Sequence, residues 1–148
     1  TMDYEGDSRV FSEFVRNAVN GEQIVIKGTG EEKRAFCYLS DLIQQLLMIL
    51  IKGESGECYN VGNPYEIVTI RELAESISRI PQPKLNISYA ERNEAGYCSS
   101  KIEKKSNYSI GKIIKLDERC KPVVGITEGF DRTIRSILNS GGKQSRVE

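Results

Sequence analysis

The sequence predicts an α/β fold, and three observations carry that prediction. Segments with apolar residues at helical spacing alternate with short apolar or alternating runs. A complete capping-box pattern, Thr69-Ile70-Arg71-Glu72, starts one of the helices. Glycines and prolines fall at the ends of these segments and seldom inside them.

Taken in order, Val10, Phe11, Phe14, Val15, Ala18 and Val19 recur at helical spacing after Asp7-Ser8, a candidate N-cap, and Gly21 stops the helix. Ile24-Val25-Ile26 and Ala35-Phe36-Cys37-Tyr38 read as two strands joined by a hairpin turn at Lys27-Gly28-Thr29-Gly30. Ser40 is placed to cap a second helix, with Leu42, Ile43, Leu46, Leu47, Leu50 and Ile51 as a broad inward face ended by Gly53. Cys58-Tyr59-Asn60-Val61 reads as a short strand, and the helix opened by the capping box runs to about Ile80, where Pro81 and Pro83 end it. Residues 85–89 alternate like a strand, residues 110–116 form a weaker helix, and Thr127 caps a last one with Phe130, Ile134, Ile137 and Leu138 inward. Residues 92–105 make a long polar connection. The organisation expected is one domain over residues 1–140 and a flexible polar tail over 141–148.

Composition narrows the function classes. A chain of 148 residues with 39% hydrophobic content can bury a core. Its 21 basic and 21 acidic side chains cancel, so no global field draws it to nucleic acid or an anionic membrane. The lysines at 101, 104, 105, 112, 115 and 121 suggest a nucleic-acid module, but Glu103, Asp117 and Glu118 interrupt them and Tyr108 is the one aromatic among them. No apolar run is long enough to span a membrane, and Asp3, Glu5, Asp7 and Glu13 stand where a signal peptide would be apolar, so the expected location is cytoplasmic. Cys37, Cys58, Cys98 and Cys120 are widely spaced and there is no histidine, which points to reduced, mostly buried thiols and no metal site.

The stretch Gly28-Thr29-Gly30-Glu31-Glu32-Lys33-Arg34 opens like a phosphate-binding loop and fails both tests for one. A P-loop needs Gly-Lys-Ser/Thr after four residues, and here Glu31 and Glu32 stand where a phosphate would sit. The dinucleotide fingerprint fails because Lys33 occupies the third glycine position and a strand-like segment follows.

Several motifs in order resemble a known family. Ile26-Lys27-Gly28-Thr29-Gly30, Arg34-Ala35-Phe36-Cys37-Tyr38, Asp41-Leu42, Tyr59-Asn60-Val61-Gly62-Asn63-Pro64, Thr69-Ile70-Arg71-Glu72-Leu73-Ala74 and Thr127-Glu128-Gly129-Phe130 together resemble the C-terminal half of an extended short-chain dehydrogenase/reductase acting on nucleotide sugars. UDP-glucuronate decarboxylases and dTDP-glucose 4,6-dehydratases are the nearest kinds. The resemblance covers residues 7–138 and implies a small mixed α/β substrate-binding domain whose N-terminal Rossmann domain is absent from this chain. It implies NAD as cofactor, bound mainly by that absent domain, a UDP- or dTDP-sugar as substrate, a homodimer for the full-length protein and a role in carbohydrate biosynthesis as a lyase or isomerase. The family's glycine-rich loop and catalytic Tyr-x-x-x-Lys pair are missing, so Thr1 reads as a cut and this segment is expected to be inactive alone. Tyr108 to Lys112 matches Y-x-x-x-K, but the resemblance places it late in the substrate domain and gives it no catalytic role. The alternative is a stand-alone nucleotide-sugar-binding or regulatory remnant.

By the same resemblance Arg34 reaches the diphosphate of the nucleotide sugar, and the turn at Lys27 and Gly28 borders the base. A planar, permanently charged guanidinium grips two phosphate oxygens at once, as an ammonium does not. The competing reading of Arg34 is a surface salt bridge with Asp41 or Glu32. Lys27 stands where the family often has a stacking Tyr. Lys104, or Lys105, stands where a second phosphate-binding Arg is expected, and Arg9 is a weaker nucleotide contact. No catalytic residue and no metal ligand is assigned.

Overall fold

The computed structural model describes residues 9–91 and 108–141, with side chains to residue 140. It divides into two compact units: Thr1–Glu32, Thr69–Ala95 and Thr127–Glu148 make one, Lys33–Val68 and Gly96–Ile126 the other.

In the first unit α1 (Val10–Asn20) ends at Gly21, whose φ of 71° is the left-handed conformation that closes a helix. The Gly21 and Glu22 N–H groups donate to the carbonyls of Ala18 and Asn17, satisfying two C-terminal acceptors. The cap position at the other end is Arg9, without a side-chain bond; Asp7 and Ser8 lie outside the described residues. β1 (Ile24–Lys27) follows, with Ile24 and Ile26 fully buried.

The predicted hairpin does not form. β1 pairs in parallel with a strand from much later in the chain, Ile87–Ala90, in register Ile24↔Ile87 to Lys27↔Ala90. A strand of consecutive apolar residues suits a parallel partner and a covered face better than a solvated hairpin. Against this pair pack α1 and a helix of Ile70–Ser78, which contributes Leu73, Ala74 and Ile77 to the core beside Phe14. The capping box of that helix is complete: Thr69 Oγ1 accepts from Glu72 N–H at 3.1 Å, and Glu72 Oε2 accepts from Thr69 N–H at 2.7 Å. The last helix, Ile126–Gly141, begins one residue before Thr127; Ile134 is buried, while Leu138 lies at the surface.

The second unit contains β2 (Lys33–Ala35), α2 (Leu39–Lys52), β3 (Ile67–Thr69, its last residue at the unit boundary), which pairs with β2, and, after α3 (Ile70–Ser78) and β4 (Ile87–Ala90) of the first unit, α4 (Gly111–Leu116) and a 3₁₀ turn at Glu118–Cys120. The long helix of the first unit is then α5 (Ile126–Gly141). Cys58 to Val61 is not a strand but an irregular segment that packs Tyr59 and Val61 on α4. The core here is Ile110, Ile113 and Cys120, with Met48 and Ile49 of α2 against it. Of the other described cysteines, Cys37 is half-buried and Cys58 exposed, so the thiols are less covered than expected; burial, then Asp41, pushes the Cys37 thiol up, and burial does the same for Cys120.

The inward face of α2 is the reverse of the one predicted. Tyr38, not Ser40, holds the cap position, and Asp41 and Gln45 are buried while Ile43, Leu46, Leu47, Leu50 and Ile51 are exposed. Periodicity finds an apolar stripe but does not say which neighbour covers it. Gln45 decides the matter in this unit: its Nε2 donates to the carbonyls of Gly62 and Cys120 at 3.0 and 2.9 Å, and its Oε1 accepts from Gly62 N–H at 2.6 Å. Gly62 has φ of 131°, and a Cβ there would lie 2.7 Å from the Tyr108 hydroxyl oxygen, so only glycine suits the position.

At the C-terminal end of α2, Asp117 accepts from Lys52 Nζ and Arg119 Nη2, both at 2.7 Å, and from Arg119 Nε at 2.9 Å. The Arg119 bonds first, then Lys52, hold its carboxyl well below the ordinary carboxylate range. A carboxyl whose folded value is depressed stabilises the fold fully above its unfolded value and loses that contribution as pH falls. Urea midpoints should therefore drop between about pH 5 and pH 2, and Asp117→Asn should flatten the drop, leaving the smaller slope from Glu57, which its bond to Lys112 also lowers. Identical pH curves for wild type and variant would show that the Asp117 cluster contributes nothing to folding.

Candidate functional site

Residues 28–32 form the seal of a helix terminus. The first turn of a helix leaves its N–H groups without partners. In α3, Ile70 and Arg71 N–H donate to the carbonyls of Glu32 and Gly30, both at 3.0 Å, and Thr69 takes the next one. The side chain of Arg71 also meets Glu31 and lies 3.4 Å from the Thr29 carbonyl. The turn therefore presents carbonyls to a helix, where a phosphate loop would present N–H groups to an anion. Gly28 and Gly30 have φ of 91° and 73°, which explains both glycines without a ligand.

This arrangement also tests the described residues as a dinucleotide site. The Gly28 N–H is spent on the Ala90 carbonyl at 2.9 Å, Glu31 N–H faces Thr29 Oγ1, and the α3 terminus is capped by its own chain. This turn does not fit a dinucleotide phosphate.

Each predicted site residue can now be placed. In the first unit Lys27 ends β1 with its ammonium 3.2 Å from Glu13 of α1, and Gly28 follows it in the left-handed region. Arg9 precedes α1 with its guanidinium 4.9 Å from the Phe11 ring centroid. In the second unit Arg34 sits half-buried at the centre of β2. Its Nη1 donates to the Lys33 carbonyl at 3.0 Å, and among the described residues it makes no ion pair. The salt bridge to Asp41 is not formed: Asp41 is buried, and one of its oxygens accepts from Val123 and Val124 N–H, both at 3.0 Å. Lys104 and Lys105 lie outside the described residues.

Tyr108 and Lys112 are not a proton-transfer couple. Lys112 pairs with Glu57 and stands 4.6 Å above the Tyr59 ring, while Tyr108 covers Gly62. Burial, then Cys37, raises the Tyr108 hydroxyl, against a smaller lowering from its bond to Asn63 backbone. A tyrosine acting as base needs the opposite shift.

Sequence reasoning missed the residues that frame Arg34's unit, Asp41, Gln45 and Asn63. All three are buried and bonded to backbone, Asn63 through its Oδ1 to Tyr65 N–H at 3.0 Å. The available signal for two of them was their spacing, Asp41 and Gln45 standing four apart and so on one face of α2.

Comparison with known proteins places these features. Residues 3–62 match the model of the NAD dependent epimerase/dehydratase family. UDP-glucuronic acid decarboxylase 6 of Arabidopsis thaliana is 38% identical over 85 residues, 57% of this chain and 24% of that protein. The UDP-glucose 4-epimerase of Thermotoga maritima, solved with UDP-glucose, superposes with a TM-score of 0.71 at 23% identity over 91% of this chain and 41% of its own. The dTDP-glucose 4,6-dehydratase of Bacillus anthracis, solved with NAD, gives 0.65 at 19% identity over 92% of this chain and 40% of its own. The chain thus has the mixed α/β fold of a portion of these solved structures. It spans about a quarter of the curated relative's length and about two fifths of the solved structures. Among the described residues no helix is long and apolar enough to cross a membrane, and no group of His, Cys, Asp or Glu is placed to hold a metal ion.

The two turn glycines should differ in their response to substitution. A Cβ on Gly30 would lie 3.1 Å from Ile26 Cγ2 and 3.4 Å from Arg71 Cβ, whereas one on Gly28 meets open space. Gly28→Ala then carries only the left-handed penalty of about 1–2 kcal/mol, and Gly30→Ala exceeds it by about 1 kcal/mol. Urea unfolding of both variants checks the order, and equal or inverted losses would mean that the turn is not seated on α3.

Proposed function

We propose, from the premise that residues 3–62 belong to the NAD dependent epimerase/dehydratase family, that this chain is the nucleotide-sugar-binding portion of an epimerase, dehydratase or decarboxylase. In this reading Arg34 holds the diphosphate of a UDP- or dTDP-sugar. Lys27 and Gly28 border the base, and Arg9 and Lys104 make lesser contacts. The observation that carries it is the state of Arg34: a half-buried guanidinium whose one protein bond is to its neighbour's carbonyl, with Nε and Nη2 given no acceptor among the described residues. A charge drawn partly out of water without a carboxylate among the described residues is poised for an anionic ligand, and the Nε–Nη2 edge suits bidentate phosphate binding.

The family is NAD-dependent, and the turn at Gly28 to Glu32 is spent on its own helix terminus, so no step of the reaction is assigned to it. The contribution of the described residues is binding energy from the nucleotide, distant from the reacting carbon, which positions the sugar for chemistry performed elsewhere in the protein. The segment alone is inactive in this reading. The full-length protein is a cytoplasmic homodimer and a lyase or isomerase of carbohydrate biosynthesis.

Calorimetric titration with UDP and dTDP tests the role of Arg34. Arg34→Lys should weaken binding by about tenfold or more, since a point charge replaces a bidentate fork, while Lys33→Ala should leave the affinity unchanged. Equal affinities for wild type and both variants would remove Arg34 from the site.

A further inference from the structure

The corner between α1 and β1 holds Asn20-Gly21, the one place in the sequence where glycine follows asparagine. Three features of that corner bear on its chemistry. Gly21 closes α1 at a φ of 71°, and a Cβ on it would meet nothing within 4 Å, so glycine suits the position and its peptide stands in open space. Asn20 is the last residue of the helix and is exposed, and its side chain is folded forward. Its Nδ2 lies 3.5 Å from Glu22 Oε1, a contact that reaches across Gly21, whereas side chains inside a helix lean back toward its N-terminus. The side-chain amide of Asn20 therefore lies along the Gly21 peptide. That peptide is also held loosely: Gly21 N–H donates to the Ala18 carbonyl at 3.4 Å, while Glu22 N–H reaches Asn17 at 2.8 Å.

We propose that Asn20 is a site of spontaneous modification, where the side-chain amide is lost through a cyclic imide formed with Gly21. The Gly21 nitrogen gives up its proton to solvent base and attacks Asn20 Cγ; the bond from Cγ to Nδ2 breaks, and that nitrogen leaves as ammonia. Water then opens the ring at either of its carbonyls, giving aspartate or isoaspartate. One water is taken up and one ammonia released, with nothing oxidised or reduced. Among the described residues the other asparagines lack these conditions. Asn63 precedes Pro64, whose nitrogen carries no proton. Asn17 is buried, with Nδ2 donating to the Gln23 carbonyl at 3.0 Å. Asn60 and Asn86 precede Val61 and Ile87, whose branched side chains crowd the attacking nitrogen, and Asn139 precedes Ser140 within α5. The products act on the corner itself. Aspartate adds a negative charge at the carboxyl end of α1, where the helix dipole and Glu22 both disfavour it. Isoaspartate lengthens the main chain by a methylene and shifts the Gly21 and Glu22 N–H groups off the carbonyls they cap. None of this depends on the family reading or on Arg34.

Ageing the purified 148-residue chain under mildly alkaline conditions tests the proposal, read by peptide-resolved mass spectrometry with fragmentation that distinguishes aspartate from isoaspartate. Asn20 should convert about tenfold or more faster than Asn139, with isoaspartate among the products and a rate that rises with pH. Equal rates at the two positions would overturn the proposal. So would a native rate about 100-fold or more below the rate in urea, because the folded corner would then protect the bond. Aspartate without isoaspartate would also overturn it, since direct hydrolysis passes through no imide. Asn20→Gln, whose longer side chain closes its ring far less readily, should remove the fast conversion; a fast phase that survives in this variant would place the reaction elsewhere. In the aged fraction, separated by ion exchange, the Glu22 amide should exchange about tenfold faster than in fresh protein while Leu73 and Ile77 of α3 keep their protection. Unchanged exchange at Glu22 would overturn the claim that the modification opens the corner.

Discussion

The side chain of Gln45 anchors the second unit. It sits without solvent access at the middle of α2 and closes three hydrogen bonds, two to Gly62 and one to the Cys120 carbonyl. Those bonds tie together a helix, a glycine-containing loop and the 3₁₀ turn before the last crossing of the chain. A buried amide that loses one of its partners costs about 1–3 kcal/mol, so the arrangement has few neighbouring alternatives. Much else follows from it. Gly62 is held with its α-carbon under Tyr108, Asp41 on the same helix face meets the amides of Val123 and Val124, and the aliphatic stripe turns outward.

The first unit depends on a different economy of polar groups. The amino end of α3 is satisfied twice over, by its own capping box and by the carbonyls of Gly30 and Glu32. The glycines that look like a phosphate loop serve this closure. The same stretch leads into β2, where Arg34 has no carboxylate partner among the described residues. In the proposed function, local folding and ligand recognition are adjacent in sequence but rest on different atoms, backbone carbonyls for one and a guanidinium for the other. On this account the stability of the turn and the affinity for nucleotide respond to different substitutions.

Some of this was legible in the sequence because it is local. The capping box at Thr69 and Glu72, the left-handed stop at Gly21 and the short helix ending at Leu116 each depend on residues within a few positions of one another. The mixed α/β class followed from the alternation of such segments. What failed was non-local. Ile24-Val25-Ile26 pairs with residues 87–89, more than sixty positions away, and a run of three apolar residues does not name its partner. The face of α2 was misjudged because periodicity counts apolar residues and does not see the backbone partners of the polar ones. Asp41 and Gln45 look ordinary in the sequence because their partners are backbone groups of distant segments, which no side-chain pattern reveals. Arg34 was read as a site residue only through family resemblance; that it makes no bridge to Asp41 needed coordinates.

Amide hydrogen exchange at Gly62 and Val124 tests the anchoring of α2 most directly. Both N–H groups end on buried side chains of that helix, Gln45 and Asp41, rather than on a strand or helix ladder. If the helix is fixed as described, both amides exchange slowly in the 148-residue chain, and Gln45→Ala accelerates Gly62 by about tenfold or more while the protection of Phe14 and Leu73 in the first unit is kept. Exchange of Gly62 in the wild type at the rate of an open loop would contradict the account, because α2 would then be free to turn its aliphatic face inward.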